Sequence, residues 1–187
     1  TQMNATAANA VVTLANTLNA DAPGNRNLNI TANGSGSMIR LGAAVGNTAT
    51  FNQLGMAASA IAMNGSNITT SGNQTYTGAI TLGAGTTLTG SNVTTTSLGT
   101  TIAGVGNSLA VVGNASIAGD VSNVSTVNVS GTTRLAANVS STGNQTYIGA
   151  MTLGADATVL SNGSTAVITT TNTVNSDGTA RAAAVTP

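Results

Sequence analysis

A 13-residue segment occurs twice in this chain and limits the folds that the chain can adopt. Residues 72–84 read Gly-Asn-Gln-Thr-Tyr-Thr-Gly-Ala-Ile-Thr-Leu-Gly-Ala, and residues 143–155 repeat them at an offset of 71 with 11 of 13 positions identical. An offset of 18 residues relates four further pairs, which are Val111 and Val129, Gly113 and Gly131, Ile117 and Leu135, and Val121 and Val139. Repeats of this length bury an apolar face only against neighbouring copies, so they predict stacked coils. Four coils of about 18 residues, or three of about 24, fit the longer offset.

Apolar and polar residues alternate within the repeats, which is the pattern of strands with one buried side. Inward-facing pairs are expected at Ile80 and Leu82, at Val127 and Val129, and at Met151 and Leu153. Glycine and asparagine interrupt these rows every few residues, as tight corners require. The chain has no glutamate and no lysine, which argues against surface helices. A hydrophobic content of 41% with zero formal net charge argues against disorder.

The sequence therefore predicts an all-β fold, specifically a parallel β-helix (a right-handed β-solenoid) with coils of about 18–24 residues. A β-sandwich of hairpins is the alternative. Hairpins favour two-residue Asn-Gly turns between matched strands. Such dipeptides occur only at 33–34, 64–65 and 162–163, so the solenoid is preferred.

Three segments are predicted along the chain. Residues 27–170 carry the solenoid repeats. Residues 1–26 place apolar residues at near-helical spacing before a Pro-Gly break. We expect them to form an amphipathic N-terminal cap over the core, or an arm that docks on a neighbouring subunit. Residues 171–187 lose the apolar rhythm and are expected to form a C-terminal tail or cap.

Side chains that carry acid–base or nucleophilic chemistry are nearly absent, because the chain has no histidine, cysteine, lysine or glutamate. On 18-residue coils Asp120 and Asp156 would lie two coils apart on one side, and with Arg134 they form the residue combination of calcium-dependent β-helix lyases. One aspartate per site supplies too few oxygen ligands to hold calcium tightly. We therefore predict no enzyme activity and no catalytic, cofactor-binding or metal-binding residues.

The aromatic residues are limited to Phe51, Tyr76 and Tyr147. The two tyrosines occupy equivalent repeat positions, and we expect them to pack at coil corners with their hydroxyl groups in water. The alternative is an exposed ladder on which glycans stack. Nucleic-acid binding requires a basic stripe with aromatic platforms, which four scattered arginines do not supply, so no nucleic-acid partner is predicted. No stretch is long and apolar enough to predict a membrane span.

Asparagine and threonine give two further hypotheses. Asn73 with Asn144, and Asn114 near Thr132, are expected at matching corners, where stacked amides form hydrogen-bonded ladders. Threonine is concentrated in three runs, at 94–96, 100–101 and 169–171. A flat threonine array is what ice-binding solenoids present, but the spacing of these runs drifts. Ice binding is therefore kept as an alternative.

The repeated segment resembles the β-strand repeats of bacterial exoproteins, namely filamentous-haemagglutinin-like adhesins and autotransporter passengers. The resemblance is carried by residues 72–84, the Thr-Thr-Leu-Thr-Gly run at 86–90, residues 108–116 and the second copy from Gly143. It implies a right-handed parallel β-helix that is secreted and displayed at the bacterial cell surface. No Asn-Pro-Asn secretion motif is found, so the resemblance implies either an interior fragment of such an adhesin or a small protein that carries the repeat and polymerises.

These observations predict an extracellular structural protein, a subunit or segment of a self-assembling surface fibre or adhesin, secreted to a bacterial surface or biofilm. Both ends of a strand stack are open templates, and this chain has few charges to block them. The expected partner is another copy of the chain, which gives a homopolymer through the solenoid ends. Host or matrix glycans are the second class of partner. An inert spacer within a giant secreted adhesin is the alternative to the fibre subunit.

Overall fold

The computed structural model describes residues 1–65, 67–95 and 102–186, and within these ranges it contains strands and no helix. The strands stack as a β-solenoid, which confirms the predicted fold class. The hairpin sandwich is wrong, since every strand pairing among the described residues is parallel. The strands are β1 (Gln2–Ala5), β2 (Val11–Leu14), β3 (Asn27–Ala32), β4 (Met38–Leu41), β5 (Gln53–Met63), β6 (Asn67–Thr69), β7 (Gln74–Leu82), β8 (Thr86–Thr95), β9 (Ile102–Ala103), β10 (Leu109–Ile117), β11 (Val121–Val124), β12 (Val127–Val129), β13 (Thr133–Leu135), β14 (Val139–Ser141), β15 (Gln145–Tyr147), β16 (Met151–Leu153), β17 (Ala157–Ser161), β18 (Ile168–Thr170), β19 (Val174–Ser176) and β20 (Ala183–Thr186).

The coils have three faces, and each face is a ladder of parallel strands. The first face stacks β1, β3, the N-terminal halves of β5 and β7, the C-terminal halves of β8 and β10, and then β13, β16 and β19. The second face stacks β2, β4, the C-terminal halves of β5 and β7, and then β9, β11, β14, β17 and β20. The third face begins with bridges of Leu18 and Val45 and continues through β6, the N-terminal halves of β8 and β10, β12, β15 and β18.

Alternation along each strand places one row of side chains in the interior. In β3, Leu28, Ile30 and Ala32 are buried while Asn27 and Asn29 face solvent. Pairing in register then sets inward residues of one coil on inward residues of the next, and they form one apolar core along the axis. Full burial of one leucine or isoleucine contributes about 1.5–3 kcal/mol, so this row is a main source of stability. The predicted inward pairs are all buried: Ile80, Leu82, Val127, Val129, Met151 and Leu153.

Coil length varies along the axis. The predicted 18-residue step is confirmed in the middle of the chain by the pairing of Val111 with Val129, of Ile117 with Leu135 and of Val121 with Val139. The first coils are longer than the predicted range. Gln2 pairs with Asn29 and Asn29 pairs with Gly55, which are steps of 27 and 26 residues. The additional residues lie in the corners, because the paired strands stay short.

The 13-residue repeat does not mark the coil period, so both predicted coil counts between its copies are wrong. The first copy starts on the first face, in the N-terminal half of β7. The second copy starts on the third face, as β15. The register partners that follow Thr75 through four coils are Thr94, Ser116, Arg134 and Thr152. The repeat equivalent of Thr75 is Thr146, so the second copy is displaced by one face.

Both chain ends are strands of the ladder. The near-helical spacing of apolar residues within 1–26 does not produce a helix, because β1 and β2 pair in register with β3 and β4. At the other end β19 and β20 continue the first and second faces, although their side chains are exposed. The segment boundaries at 26 and 171 therefore coincide with no break in the ladders. The capping and docking roles given to these segments stay predictions.

Four strands bend around a corner without interruption, namely β5, β7, β8 and β10, and in two of them the bend lies at a glycine with positive φ. Gly78 in β7 has φ +123° and Gly113 in β10 has φ +132°. A Cβ at either position would overlap a carbonyl oxygen of the preceding coil, that of Ala58 or Gly90 respectively. Glycine is required there both for the backbone conformation and for the close approach of the coils.

Candidate functional site

Each copy of the repeat begins with a buried polar corner. We call it the corner motif and define it as Ser/Thr-x-Gly-Asn-Gln-x-Tyr, at residues 70–76 and 141–147. The first copy turns the chain from the third face, after β6, to the first face, where β7 begins. The second copy turns it from the second face, after β14, to the third face, where β15 begins. The same sequence therefore builds two different corners of the solenoid.

In the first copy the polar atoms of the motif are satisfied inside the protein. Gln74 and Tyr76 are both 0% exposed. The Tyr76 hydroxyl donates to Gln74 Oε1 at 2.7 Å. The Gln74 amide nitrogen lies 3.1 Å from Ile68 O, 2.8 Å from Thr89 O and 3.3 Å from Thr70 Oγ1. Ile68 and Thr89 belong to adjacent coils of the third face, so one amide group links two coils.

The second copy repeats this arrangement at its own corner. The Tyr147 hydroxyl donates to Gln145 Oε1 at 2.8 Å, and both side chains are 0% exposed. The Gln145 amide nitrogen donates to Leu160 O at 2.7 Å and contacts Ser141 Oγ at 3.0 Å. Leu160 lies one coil beyond Ser141 on the second face, next to Ser161. Gln145 therefore also links two coils, through one carbonyl group rather than two.

These contacts correct both hypotheses for the tyrosines. Tyr76 and Tyr147 do not place their hydroxyl groups in water, and their buried rings offer no surface on which a glycan could stack. Burial raises the pKa of both tyrosines above the usual value, because the charged phenolate is poorly solvated in the interior. Each tyrosine stays neutral and keeps its proton for the hydrogen bond to glutamine. The motif is therefore a structural device that fixes a corner and bridges two coils.

An asparagine ladder runs along the outer edge of the solenoid. Asn92 Nδ2 donates to Asn73 Oδ1 at 2.9 Å, and Asn114 Nδ2 donates to Asn92 Oδ1 at 3.2 Å. Asn114 Oδ1 then accepts the backbone N–H of Thr132 at 2.9 Å. The predicted proximity of Asn114 and Thr132 is confirmed. The predicted stacking of Asn73 on Asn144 is wrong, because the two repeat copies lie at different corners.

The aspartates singled out in the sequence accept backbone hydrogen bonds at one corner. Asp120 Oδ1 accepts from the N–H of Asn138, and Asp156 Oδ1 accepts from the N–H of Ala182, each at 2.9 Å. They precede β11 and β17, so they lie two coils apart on one side, as expected. Arg134 lies on another face, in β13. Within the described ranges no group of three or more potential metal ligands lies together.

The threonine runs do not share one column. Thr94 faces outward on the first face, in a column that Arg134 interrupts two coils later. The run at 169–171 belongs to β18 and the corner after it, on the third face. Positions 96 and 100–101 lie outside the described residues. No face of the described chain thus carries the regular threonine array that an ice-binding surface needs.

The N-terminal end of the solenoid is open. Strands β1 and β2 pair with β3 and β4, and among the described residues neither has a partner on its other edge. Their inward side chains are Met3 and Ala5 on the first face and Val12 and Leu14 on the second. All four are only half-buried, because one side packs on the core and the other is uncovered.

The C-terminal end is open in the same way. Strands β18, β19 and β20 pair only with the preceding coil within the described part of the chain. Val174 lies on Met151 and Val185 lies on Val159, so both valines point into the interior row. They are nevertheless 46% and 57% exposed, because no further coil of the described chain covers them. Among the described residues the interior row of apolar side chains ends at these two valines.

The charged side chains near both ends are paired within the chain. Arg26 contacts Asp21 at 2.6 Å, and this hydrogen bond lowers the pKa of Asp21 to about 2. Arg181 contacts Asp177 at 3.2 Å and likewise lowers the pKa of that carboxyl group. Strands β1, β2, β19 and β20 contain no charged residue. These four strands therefore carry no charged side chain on their edges.

Comparison with protein-family models, with curated proteins and with solved structures gives no match to this chain. No helix long and apolar enough to cross a membrane occurs in the described ranges.

Proposed function

We propose that this chain is an extracellular structural rod that assembles end to end into a fibre or adhesin at the bacterial surface. The observation that carries the proposal is the continuous stack of three parallel strand ladders along one axis. Wherever such a stack stops, its last strand edge is a template for another strand, and natural proteins usually block that edge with charge or proline. Among the described strands only β4 and β13 contain a charged residue, and none contains proline.

The composition supports association and a location outside the cell. Charged residues make up 4% of the chain and the formal net charge is zero, so copies repel each other weakly. The resemblance of residues 72–84 to the repeats of secreted bacterial adhesins supports display at the cell surface. Binding of host or matrix glycans remains a prediction that the buried tyrosines do not support.

The fold suits a rod under mechanical load. The backbone hydrogen bonds of all three faces run along the axis, from coil to coil. Tension along a fibre is therefore shared among three ladders. The corner motifs and the asparagine ladder add side-chain bonds in the same direction.

Sedimentation velocity and electron microscopy across a range of protein concentrations test the proposal. We expect unbranched filaments, one solenoid wide, that lengthen as the concentration rises. Val185→Lys places a charge in the open interior row and should suppress them, whereas Val167→Lys, at an exposed corner position, should not. A chain that stays monomeric at the highest attainable concentration would overturn the fibre proposal and favour the spacer. Thermal hysteresis in the same samples would instead indicate ice binding.

A further inference from the structure

We infer that two copies of this chain pair side by side, in antiparallel orientation, through the outward side of the second face. Such pairing uses the flank of the solenoid. It therefore depends neither on how the ends join nor on whether further coils follow at either end. The fibre proposed above grows along the axis, whereas this contact joins two rods laterally.

The outward side of the second face is apolar in its middle coils. Its outward residues in the C-terminal halves of β5 and β7 and in β9 form a surface that we call the alanine face, namely Ala60, Ala62, Ala79, Thr81 and Ala103. The four alanines are half-buried and do not belong to the apolar core. On the first face, by contrast, β7 and β8 present Thr75 and Thr94 outward. A contiguous apolar patch on an outward face is typical of an interaction surface.

Two charged side chains flank the alanine face and have no ion-pair partner among the described residues, namely Arg40 and Asp120. Arg40 lies in β4, two coils before Ala79. Asp120 directly precedes β11, two coils after Ala79. Asp120 Oδ1 accepts the N–H of Asn138, which leaves Oδ2 available for another donor. Because neighbouring strands lie about 4.8 Å apart, each charge is about 10 Å along the axis from Ala79.

The two charges are aligned with each other along the axis. The residues that directly precede the paired inward residues of the second face form one outward column, whose described members from β4 to β11 are Met38, Ala60, Ala79 and Asp120. Position 101 of this column lies outside the described residues. Arg40 Nε lies 3.0 Å from Met38 Sδ, so the arginine side chain extends along its strand into the same column. The guanidinium group and the carboxylate therefore lie on opposite sides of Ala79, at the same number of coils.

This placement is self-complementary. A two-fold axis between two copies, parallel to the strand at Ala79, reverses the direction of the rod and sets this column opposite itself. Arg40 of one copy then faces Asp120 of the other, and the reciprocal contact forms at the same time. A parallel pair in register sets Arg40 against Arg40 and Asp120 against Asp120 instead. The charges therefore select the antiparallel arrangement.

The size of the surface predicts a weak contact. Packed sheets lie about 10 Å apart, and the small alanine side chains leave that gap free for the long side chain of Arg40 to cross. From Arg40 to Asp120 the two outward columns cover about 24 Å by 7 Å. This is well below the roughly 800 Å² per partner of a stable interface. We therefore expect single filaments at low protein concentration and lateral pairs only as the concentration rises.

Charge reversal tests the pairing. The variants Arg40→Asp and Asp120→Arg are compared with the parent chain by sedimentation equilibrium at high concentration. All of them carry Val185→Lys, which suppresses end-to-end growth so that a dimer can be resolved. We expect each reversal to raise the dimer dissociation constant at least tenfold, because it sets like charges face to face twice. A mixture of the two variants should dimerise as the parent does, because opposite charges then meet at both contacts.

The matched control is Asp156→Arg. Asp156 is also exposed, has no ion pair among the described residues and accepts one backbone N–H, but it lies two coils beyond Asp120. Its reversal should leave the dissociation constant unchanged. If Arg40→Asp behaves like this control, or if the mixture does not recover dimerisation although both variants are folded, the antiparallel register is wrong.

Chemical cross-linking gives a readout that does not depend on charge. Ala79 faces itself across the two-fold axis, and the chain contains no cysteine, so Ala79→Cys should be linked into a dimer by a bismaleimide that spans about 10 Å. Thr87→Cys, on the outward side of the third face, should link at least fivefold more slowly. Equal rates for the two variants would overturn pairing through the alanine face. Filament formation by the unmodified chain decides the fibre proposal separately.

Discussion

The two copies of the corner motif have the same key residues and the same internal hydrogen bonds, yet they sit at different corners of the solenoid. Gln74 bonds two carbonyl groups in adjacent coils of the third face, whereas Gln145 bonds one carbonyl group on the second face. The motif thus encodes how the chain turns and not where on the circumference it turns. The face is decided by the number of residues between the copies.

The largest effect is expected from removing the glutamine. Gln74→Met and Gln145→Met keep the side-chain volume but remove the acceptor of the tyrosine hydroxyl group and the amide that bridges two coils. Loss of one buried hydrogen-bond partner costs about 1–3 kcal/mol, so we expect a loss of about 3 kcal/mol in the free energy of unfolding, measured by urea titration followed by circular dichroism. The loss should be greater for Gln74→Met. The exposed Gln53→Met is the control, with a change within about 0.5 kcal/mol. A neutral Gln145→Met would show that the copies are not equivalent.

High pH should destabilise the fold through both tyrosines. Below pH about 10 they are protonated in the folded and unfolded states alike, so they contribute no pH dependence. Above that pH only the unfolded state loses the protons, because burial raises the pKa of Tyr76 and Tyr147 in the fold. Stability should then fall by about 1.4 kcal/mol per pH unit for each tyrosine. Urea midpoints between pH 8 and 11.5, followed by tyrosinate absorbance, measure the slope. Gradual ionisation before unfolding would contradict it.

A smaller loss is expected from removing one hydroxyl group. Tyr76→Phe and Tyr147→Phe each leave a glutamine Oε1 atom without its donor, at a cost of about 1–2 kcal/mol. Combining Tyr76→Phe with Gln74→Met should cost no more than Gln74→Met alone, because the bond is already lost and phenylalanine leaves no hydroxyl group to satisfy. Thermal unfolding of the two single variants and the double variant gives the coupling. Additive losses would mean that the two side chains do not share a bond.

The smallest effect is expected from exchanging the copies. Thr70→Ser with Ser71→Thr gives the first corner the sequence of the second. Because serine and threonine both keep the hydroxyl group that contacts the glutamine amide, we expect the free energy of unfolding to change by less than about 1 kcal/mol, mainly through the lost methyl group of the buried Thr70. Urea titration beside the unmodified chain measures the change. A large loss would show that each copy is adapted to its own face.

The alternation of apolar and polar residues and the 18-residue spacing of matched residues are both visible in the sequence. They were therefore sufficient to predict strands, inward rows and an 18-residue coil in the middle of the chain. The sequence was misleading about the 71-residue offset. A motif that builds any corner carries no information about register, and the length of the intervening corners is set by tertiary contacts. The near-helical spacing of residues 1–26 was overridden by strand pairing in the same way.

The burial of the tyrosines had a sequence signal that composition obscured. Gln74 and Tyr76 are an even number of positions away from Ile80 and Leu82, so alternation assigns all four side chains to the same side of β7. All four are buried. Alternation alone therefore places glutamine and tyrosine inside. Alternation does not identify the distant hydrogen-bond partner of the glutamine amide, because Thr89 O lies in the next coil of the solenoid.

A unit that repeats at the level of one strand and one corner has a consequence for how such a chain changes over generations. Duplication or loss of that unit does not need to preserve the number of residues in a turn, because the inward and outward alternation is re-established at the next strand. What changes is the angular position of side chains around the axis. Every outward side chain after the changed unit is moved by one face around the solenoid. A single insertion can thereby move an entire surface from one side of the rod to another while the interior stays filled.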